Sequence, residues 1–487
     1  MKADLRMVGF VVGIVLLFIA GMMLLPLGVS LYYLDGDSVA ISWSMLITAL
    51  FGGGLVLMRR RDREINIRDG FLVVTFGWLA MALVGSMPYY LSGAIPSFSD
   101  CFFESISGFT TTGASILGGE LPVESLPHGV LFWRSLTHWI GGMGIILLSL
   151  AILPMLGIGG MQLYRAEVAG PTKDKLTPRI RDTAKILWFV YLGLTVAETV
   201  LLMAGGMNLF DATCHTFGTL ATGGFSTRSD SIGAFHSRYI EYVIIVFMFV
   251  GATNFALHYR VIVGRSVSAY WQSREFRLFV GVITLYTTLM VISNFHRGSG
   301  YGFEENLRLS LFQVVSIATT TGFGTVDYEL WGWFAQLLLI FAMLVGGMAG
   351  STSGAMKMLR FKILLEHVRL ELRRLIHPQA VLPMQIGGRV IEQETIRGVL
   401  TFILAYILTL AISSALLTAM GIDLVTAFGA SATTLGGTGP GFGAVGPADN
   451  YRWLPTAGKW VLCGTMLLGR LEIFTVLVLF SRHFWRK

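Results

Sequence analysis

Long apolar runs separated by short polar stretches organise this chain. Runs of about 20 residues or more can cross a bilayer as helices, and ten such runs occupy residues 8–33, 40–58, 70–92, 129–156, 183–206, 238–263, 276–295, 330–350, 396–420 and 455–480. They predict an all-α integral membrane protein with ten transmembrane helices, the second containing Gly52-Gly53-Gly54. The first run is too long for a secretory signal core and lacks a convincing cleavage site, so it reads as a retained span. Between later pairs of runs lie four stretches too short to cross, 99–107, 209–218, 306–317 and 424–431. About ten residues each suits half-helices that descend part of the way and stop. Asp100, Asp211 and Asp423 open three of them, where acids complement the helix dipole, and the C-terminal ends would then carry partial negative charge inward.

Each short stretch leads into a similar polar segment: Thr110-Thr111-Thr112-Gly113, Leu220-Ala221-Thr222-Gly223, Thr319-Thr320-Thr321-Gly322 and Thr433-Thr434-Leu435-Gly436. Non-helical backbone at membrane depth is tolerated only where protein buries it or it lines water. Glycine frees the backbone to turn successive carbonyls alike, and threonine hydroxyls and carbonyls are hard oxygen ligands that can replace water around an alkali cation. Gly/Thr-rich surface loops or small-residue helix contacts would explain any one segment alone. Four in register, each after a half-length stretch, point to a shared axis.

Charge orients the chain. Every second connection is strongly basic: Lys2 and Arg6; Arg59, Arg60, Arg61, Arg63 and Arg68; Arg165, Lys173, Lys175, Arg179 and Arg181; Arg260, Arg265, Arg274 and Arg277; Lys357, Arg360, Lys362, Arg369, Arg373 and Arg374; Arg482, Arg486 and Lys487. The alternate connections carry Asp35, Asp37, Glu120, Glu124, Asp327, Glu329 and Asp449. Cytoplasmic loops are the basic ones, which puts both termini in the cytoplasm and all four Gly/Thr segments on the external side. With 54% hydrophobic and 13% charged residues the chain is too apolar for a soluble globule. Its formal charge of +7 follows topology and implies no nucleic-acid partner. Cys101, Cys214 and Cys463 lack metal-ligand spacing and read as packing residues.

Two features below the segments suggest control of passage. Residues 346–354 hold Gly346, Gly347, Gly350, Ser351, Thr352, Ser353 and Gly354, and glycine costs a helix roughly 1 kcal/mol each. The stretch is either a close helix contact or an intramembrane loop that obstructs the pore. Arg470 stands deep in the last run, where an arginine costs about 2.5–3.5 kcal/mol on insertion scales. Glu472, two residues on, does not share its helical face, so Arg470 is expected to project into the pore. Glu198, Asn254 and His138 are expected to make interhelical hydrogen bonds. Arg134 and Lys459 are expected to snorkel or pair with acids such as Glu104. Residues 357–374 form a basic amphipathic helix, suited equally to anionic membrane lipid and to docking a partner that moves the glycine loop.

These motifs, with Trp133-Arg134-Ser135, Trp139-Ile140-Gly141-Gly142-Met143-Gly144, Gly437-Thr438-Gly439-Pro440-Gly441 and Gly469-Arg470-Leu471-Glu472, resemble the TrkH-type subunit of the Trk/Ktr/HKT potassium transporter superfamily over the whole chain. The resemblance implies a pseudo-fourfold pore of four M1-P-M2 repeats plus two extra N-terminal helices: a two-helix region at 1–68, then repeats at 69–180, 181–273, 274–390 and 391–487. It also implies a homodimer in a bacterial inner membrane with a TrkA-like cytoplasmic nucleotide-binding subunit. A K+ filter would comprise Thr111, Thr112 and Gly113; Ala221, Thr222 and Gly223; Thr320, Thr321 and Gly322; and Thr434, Leu435 and Gly436. Arg470 and the 346–354 loop would form the gate. Sodium-favouring relatives carry serine at the first filter glycine, so Gly113 points to potassium. Ala221 and Leu435 depart from the Thr-Thr-Gly pattern, and Gly224 and Gly437 leave those two registers open by one residue. A proton- or sodium-coupled carrier is the competing reading, although carriers usually show two halves. No P-loop motif and no nucleophile or His/Asp/Glu constellation supports an enzyme.

Overall fold

The computed structural model describes residues 4–58, 66–151, 180–298, 300–380, 382–386 and 389–486. Lys2, Arg59, Arg60, Arg61, Arg63, Arg165, Lys173, Lys175, Arg179 and Lys487, which carry much of the orientation argument, lie outside them. The described chain is almost wholly helical; the strand pair Gln385–Ile386 and Arg389–Val390 and an isolated bridge between Gly118 and Leu121 are its β pairing.

Two N-terminal elements, Leu5–Met22 and Ser38–Val56, cross where Gly13 meets Gly52: a methyl group built on Gly13 would sit 2.7 Å from the Gly52 carbonyl oxygen. Two helices approach this closely only where side chains are absent, so Gly52 is the packing point of the second apolar run, while Gly53 and Gly54 face open space. Polar caps tie this pair to the rest. Asn66 and Asp69 form a capping box that starts Ile67–Gly85, and Asp69 also accepts the Asp4 N–H at 2.8 Å. Buried Asp37 accepts the Ser30 hydroxyl and, at 2.9 Å, the Val130 N–H.

Four three-helix units follow, each with an outer helix, a half-length helix and an inner helix. The half-length helices are Phe98–Phe109, Leu209–Leu220, Phe303–Ala318 and Leu424–Gly436. Each packs between its outer partner (Ile67–Gly85, Ile180–Ala204, Arg274–His296 or Gln393–Ala419) and its inner partner (His128–Ala151, Arg238–Gly251, Trp333–Val345 or Thr456–Arg470). Each inner helix also packs on the half-length helix of the next unit, and the last packs on the first. Four units so connected close into a ring.

Three of the ten predicted spans are broken among the described residues. Six described helices are long and apolar enough to cross a membrane, or eight if each of two bent pairs counts as one span. The sixth predicted span bends by 100° between Arg238–Gly251 and Phe255–Gly264, and the tenth bends by 109° between Thr456–Arg470 and Phe474–Phe480. The eighth stops after Trp333–Val345, because Gly346 turns away at φ 71°. Asn254 drives the first bend by capping the Ala256 N–H at 2.9 Å, so it serves its own chain and not a neighbouring helix. At the second bend Glu472 and Ile473 take φ 59° and 49°. The three cysteines are free and buried.

Replacing Gly13 with leucine should cost about 1–3 kcal/mol through overpacking against Gly52. A lowered melting temperature in detergent checks this, and an unchanged one would show that the two helices can separate freely.

Candidate functional site

The half-length helices aim their C-termini at the ring axis, and the chain leaves all four in the same way. A backbone N–H reaches back five residues in each: Thr112 to Ser107 at 2.9 Å, Gly223 to Gly218 at 2.8 Å, Thr321 to Ser316 at 2.9 Å and Thr438 to Thr433 at 2.9 Å. This is the six-to-one bond of a Schellman ending. It is flanked by the same pair of left-handed residues each time: Thr111 (φ 51°) and Gly113 (81°), Thr222 (51°) and Gly224 (80°), Thr320 (59°) and Gly322 (82°), Gly437 (72°) and Gly439 (92°). A left-handed threonine is costly, so three such residues at equivalent places mark a conformation imposed by the surroundings.

That alignment keeps the expected residues in the first and third units and corrects the other two. In the second unit the register moves by one: Thr222, Gly223 and Gly224 occupy the equivalent positions, and Ala221 caps the preceding helix. In the fourth it moves by three. Thr434, Leu435 and Gly436 lie in the last turn of Leu424–Gly436, and Gly437, Thr438 and Gly439 take the equivalent places. Within that last turn the Thr434 hydroxyl bonds back to the Ala430 carbonyl at 2.7 Å and to the Thr465 hydroxyl at 2.8 Å. A Thr-Gly dipeptide marks 112–113, 321–322 and 438–439 and would have found the fourth register. The same signal misleads in the second unit, where Gly223 stands in the threonine position.

The last residue of each set explains why it is glycine. A methyl group built on Gly113 would lie 2.1 Å from the Gly223 carbonyl oxygen, on Gly224 2.0 Å from that of Thr321, and on Gly322 1.9 Å from that of Thr438. Gly439 returns to the first unit, 2.8 Å from the Thr112 carbonyl oxygen by the same measure. Four strands thus close on one another through the carbonyls of Thr112, Gly223, Thr321 and Thr438. On one side of them an open mouth is lined by Gly113, Gly224, Gly322 and Gly439.

Buried charges brace this mouth. Arg134 is 3% exposed and holds Glu104 at 2.6 Å, the Ser226 carbonyl at 2.9 Å and the Ser115 hydroxyl at 3.0 Å, with its guanidinium 3.5 Å over the Phe225 ring. It therefore joins the strand after the first unit to that after the second. Lys459 joins the fourth unit to the first through Asp100 at 2.6 Å. In the outer loop of the third unit, Glu329 accepts the Gly443 N–H at 2.7 Å. Burial raises its carboxyl above the ordinary range, opposed by that N–H and reinforced by the charges of Asp327 and Asp449.

Beneath the ring, residues 346–354 form a loop and not a helix contact. Thr352 donates its hydroxyl to the carbonyls of Leu220 at 2.9 Å and Gly251 at 3.0 Å, and Gly354 N–H reaches the Thr320 hydroxyl at 2.7 Å. Ala355 N–H reaches the Gly436 carbonyl at 2.8 Å, and Gly350 accepts the Phe255 N–H at 3.1 Å. One loop thus touches the ends of three half-length helices. Gly347 N–H bonds the Ser353 hydroxyl at 3.0 Å, and the Ser351 hydroxyl caps the Met348 carbonyl at 2.6 Å. Arg470 is buried where its helix ends and donates to the Thr352 carbonyl at 2.8 Å and the Gly141 carbonyl at 3.1 Å. Glu472 is engaged elsewhere, with Arg360. The expected interhelical hydrogen bond of His138 is absent: neither ring nitrogen has a partner.

Half-helices converging with their negative ends on a ring of backbone carbonyls, closed below by a polar loop and a fixed guanidinium, define a membrane protein built to handle cations. Residues 38–487 match the TrkH family, described as cation transport protein, and the chain belongs to that family. It is 42% identical over 486 residues to the Trk system potassium uptake protein TrkH of Escherichia coli K12, covering 99% of each chain. It is 36% identical over 467 residues to the uptake protein TrkG of the same organism, covering 95% of each. The crystal structure of the potassium transporter TrkH from Vibrio parahaemolyticus superposes with a TM-score of 0.91 at 39% identity, over 99% of this chain and 100% of that one.

The corrected registers are separable from the original ones. Gly224→Ala and Gly439→Ala should each reduce cation flux about tenfold or more, a loss of about 1.4 kcal/mol or greater, whereas Thr434→Ser should leave it within about twofold. Equal losses in all three would return Thr434 to the strand. Arg134→Ala strands Glu104 in the interior and should cost about 3–5 kcal/mol of stability, read as a fall in melting temperature.

Proposed function

We propose that this chain takes up potassium ions across the bacterial inner membrane along the axis of its four repeats, at 69–180, 181–273, 274–390 and 391–487. The observation that carries this reading is the closed ring in which the glycine of each strand meets the carbonyl of the next. A potassium ion shedding its water is compensated by such oxygens. The filter residues are Thr111, Thr112 and Gly113; Thr222, Gly223 and Gly224; Thr320, Thr321 and Gly322; and Gly437, Thr438 and Gly439. The names carried by the relatives in Escherichia coli and Vibrio parahaemolyticus support the choice of ion. With both termini cytoplasmic, as the basic connections imply, the membrane potential drives entry by about 2.3 kcal/mol per charge per 100 mV.

Passage beneath the filter is governed by Arg470 and the 346–354 loop. A guanidinium fixed on the Thr352 carbonyl opposes a cation in the same space. Control reaches it through the amphipathic helix Met358–Ile376, which follows the loop directly. Lys357 donates to the Ser353 carbonyl, and Arg360 holds Glu472 at the break in the last inner helix and lies 4.0 Å over Phe402. A TrkA-like cytoplasmic nucleotide-binding subunit docking on that helix in a homodimer would pull on both the loop and the break.

Purified protein in liposomes tests this. K+ and Rb+ should enter in preference to Na+ and Li+, Gly113→Ser should narrow that preference, and Arg470→Ala should raise K+ flux. K+ entry no faster than in empty vesicles would sink the reading, and unchanged flux in Arg470→Ala would remove the arginine from the gate.

A further inference from the structure

The four strands are not held in place alike. In the first and third units the hydroxyl of the central threonine bonds the hydroxyl two residues earlier, Thr112 with Thr110 at 2.8 Å and Thr321 with Thr319 at 2.7 Å. The second strand has neither partner, because Ala221 and Gly223 stand at those places. Its central residue has no side chain, yet its carbonyl is one of the four in the ring.

A side chain from the preceding unit occupies the space. His138, on the inner helix His128–Ala151, is fully buried and lies so close that a methyl group built on Gly223 would be 1.9 Å from its Nδ1 and 2.4 Å from its Cε1. Its ring stacks on Phe225, two residues further along, with centroids 4.0 Å apart and planes at 19°. Neither nitrogen is hydrogen-bonded, so the ring is not there to satisfy a polar partner. It stands three residues before Gly141, and the residues three before the corresponding glycines Gly251, Gly346 and Gly469 are Met248, Met343 and Met466, all buried. Gly141, Gly251 and Gly469 face the carbonyls of Phe109, Leu220 and Leu435, the equivalent residues of three half-length helices, which supports that alignment. In this alignment the position is methionine on the three inner helices that precede threonine-centred strands and histidine on the one that precedes the glycine-centred strand. A flexible thioether adapts to its neighbours; a flat, stiff ring replaces a missing side chain with a fixed surface.

We propose that His138 is a positioning residue for the second strand: its ring substitutes for the side chain absent at Gly223, fixes the Gly223 carbonyl and thereby sets discrimination between cations. This rests on the filter reading above. His138 and Gly223 form a coupled pair, each acceptable only with the other.

The test is a double-mutant cycle of H138M, G223T and H138M/G223T, reconstituted at equal amounts of folded protein, with K+ and Na+ fluxes measured separately. H138M keeps the volume and installs the residue of the other three units; it should lower the K+/Na+ flux ratio about threefold or more, within the span of couplings between touching residues. G223T collides with the ring and should lower both flux and ratio. The double variant recreates the methionine-threonine arrangement and should restore the ratio to within about twofold of the parent. A double variant no better than G223T, or an H138M ratio equal to the parent's, overturns the positioning role while leaving the filter reading intact. A parent protein that does not distinguish K+ from Na+ overturns both. A general packing defect would lower melting temperature and total flux without moving the ratio, which also counts against the proposal.

Discussion

The approach of a glycine α-carbon to the carbonyl oxygen of the next strand, repeated four times around one axis, is the contact on which the rest of this molecule depends. Would-be methyl groups at 1.9–2.1 Å from three of those oxygens leave no room for any side chain. The left-handed φ values at the same residues would strain one even if there were room. Each strand is therefore held by its neighbour, and the ring forms only when all four half-length helices arrive at the same depth and angle. The shared packing of each inner helix on the following half-length helix sets that depth. The ion pairs of Arg134 with Glu104 and Lys459 with Asp100 lock two of the joints from the outer side.

Below the ring the architecture relies on backbone carbonyls once more, here as acceptors for fixed donors. The Thr352 hydroxyl and the Arg470 guanidinium satisfy carbonyls that end helices or line the break points. The buried Arg470 guanidinium is held by backbone carbonyls through its two terminal nitrogens, while its Nε has no partner. The bends of 100° and 109° in two inner helices, with the early end of a third, clear the room that the loop and the guanidinium fill.

Much of this was legible in the sequence because it rests on length and polarity. Half-length stretches and left-over Gly/Thr segments announce themselves as interruptions of apolar runs, and the clean copies at Thr111–Gly113 and Thr320–Gly322 needed no correction. The break in the eighth run was legible in its glycines, whereas the bends in the sixth and tenth were not, because apolarity reports burial or lipid and not whether a helix bends. Asn254, Gly346 and Glu472–Ile473 produce the turns locally, by a cap in one case and by left-handed backbone in the others. The second and fourth registers, left open by one residue in the sequence, move by one and by three. Which glycine lies against a carbonyl is decided by where the preceding helix stops, and Leu424–Gly436 takes Thr434, Leu435 and Gly436 into its last turn.

The hydroxyl pairs Thr110–Thr112 and Thr319–Thr321 belong to opposite members of the ring, while the second and fourth strands lack them. A ring with hydroxyl pairs on two opposite sides, the His138 ring against a third and neither on the fourth is not braced alike all round. Only a chain that writes its four quarters separately can have such a ring; four identical subunits would have to brace every side or none.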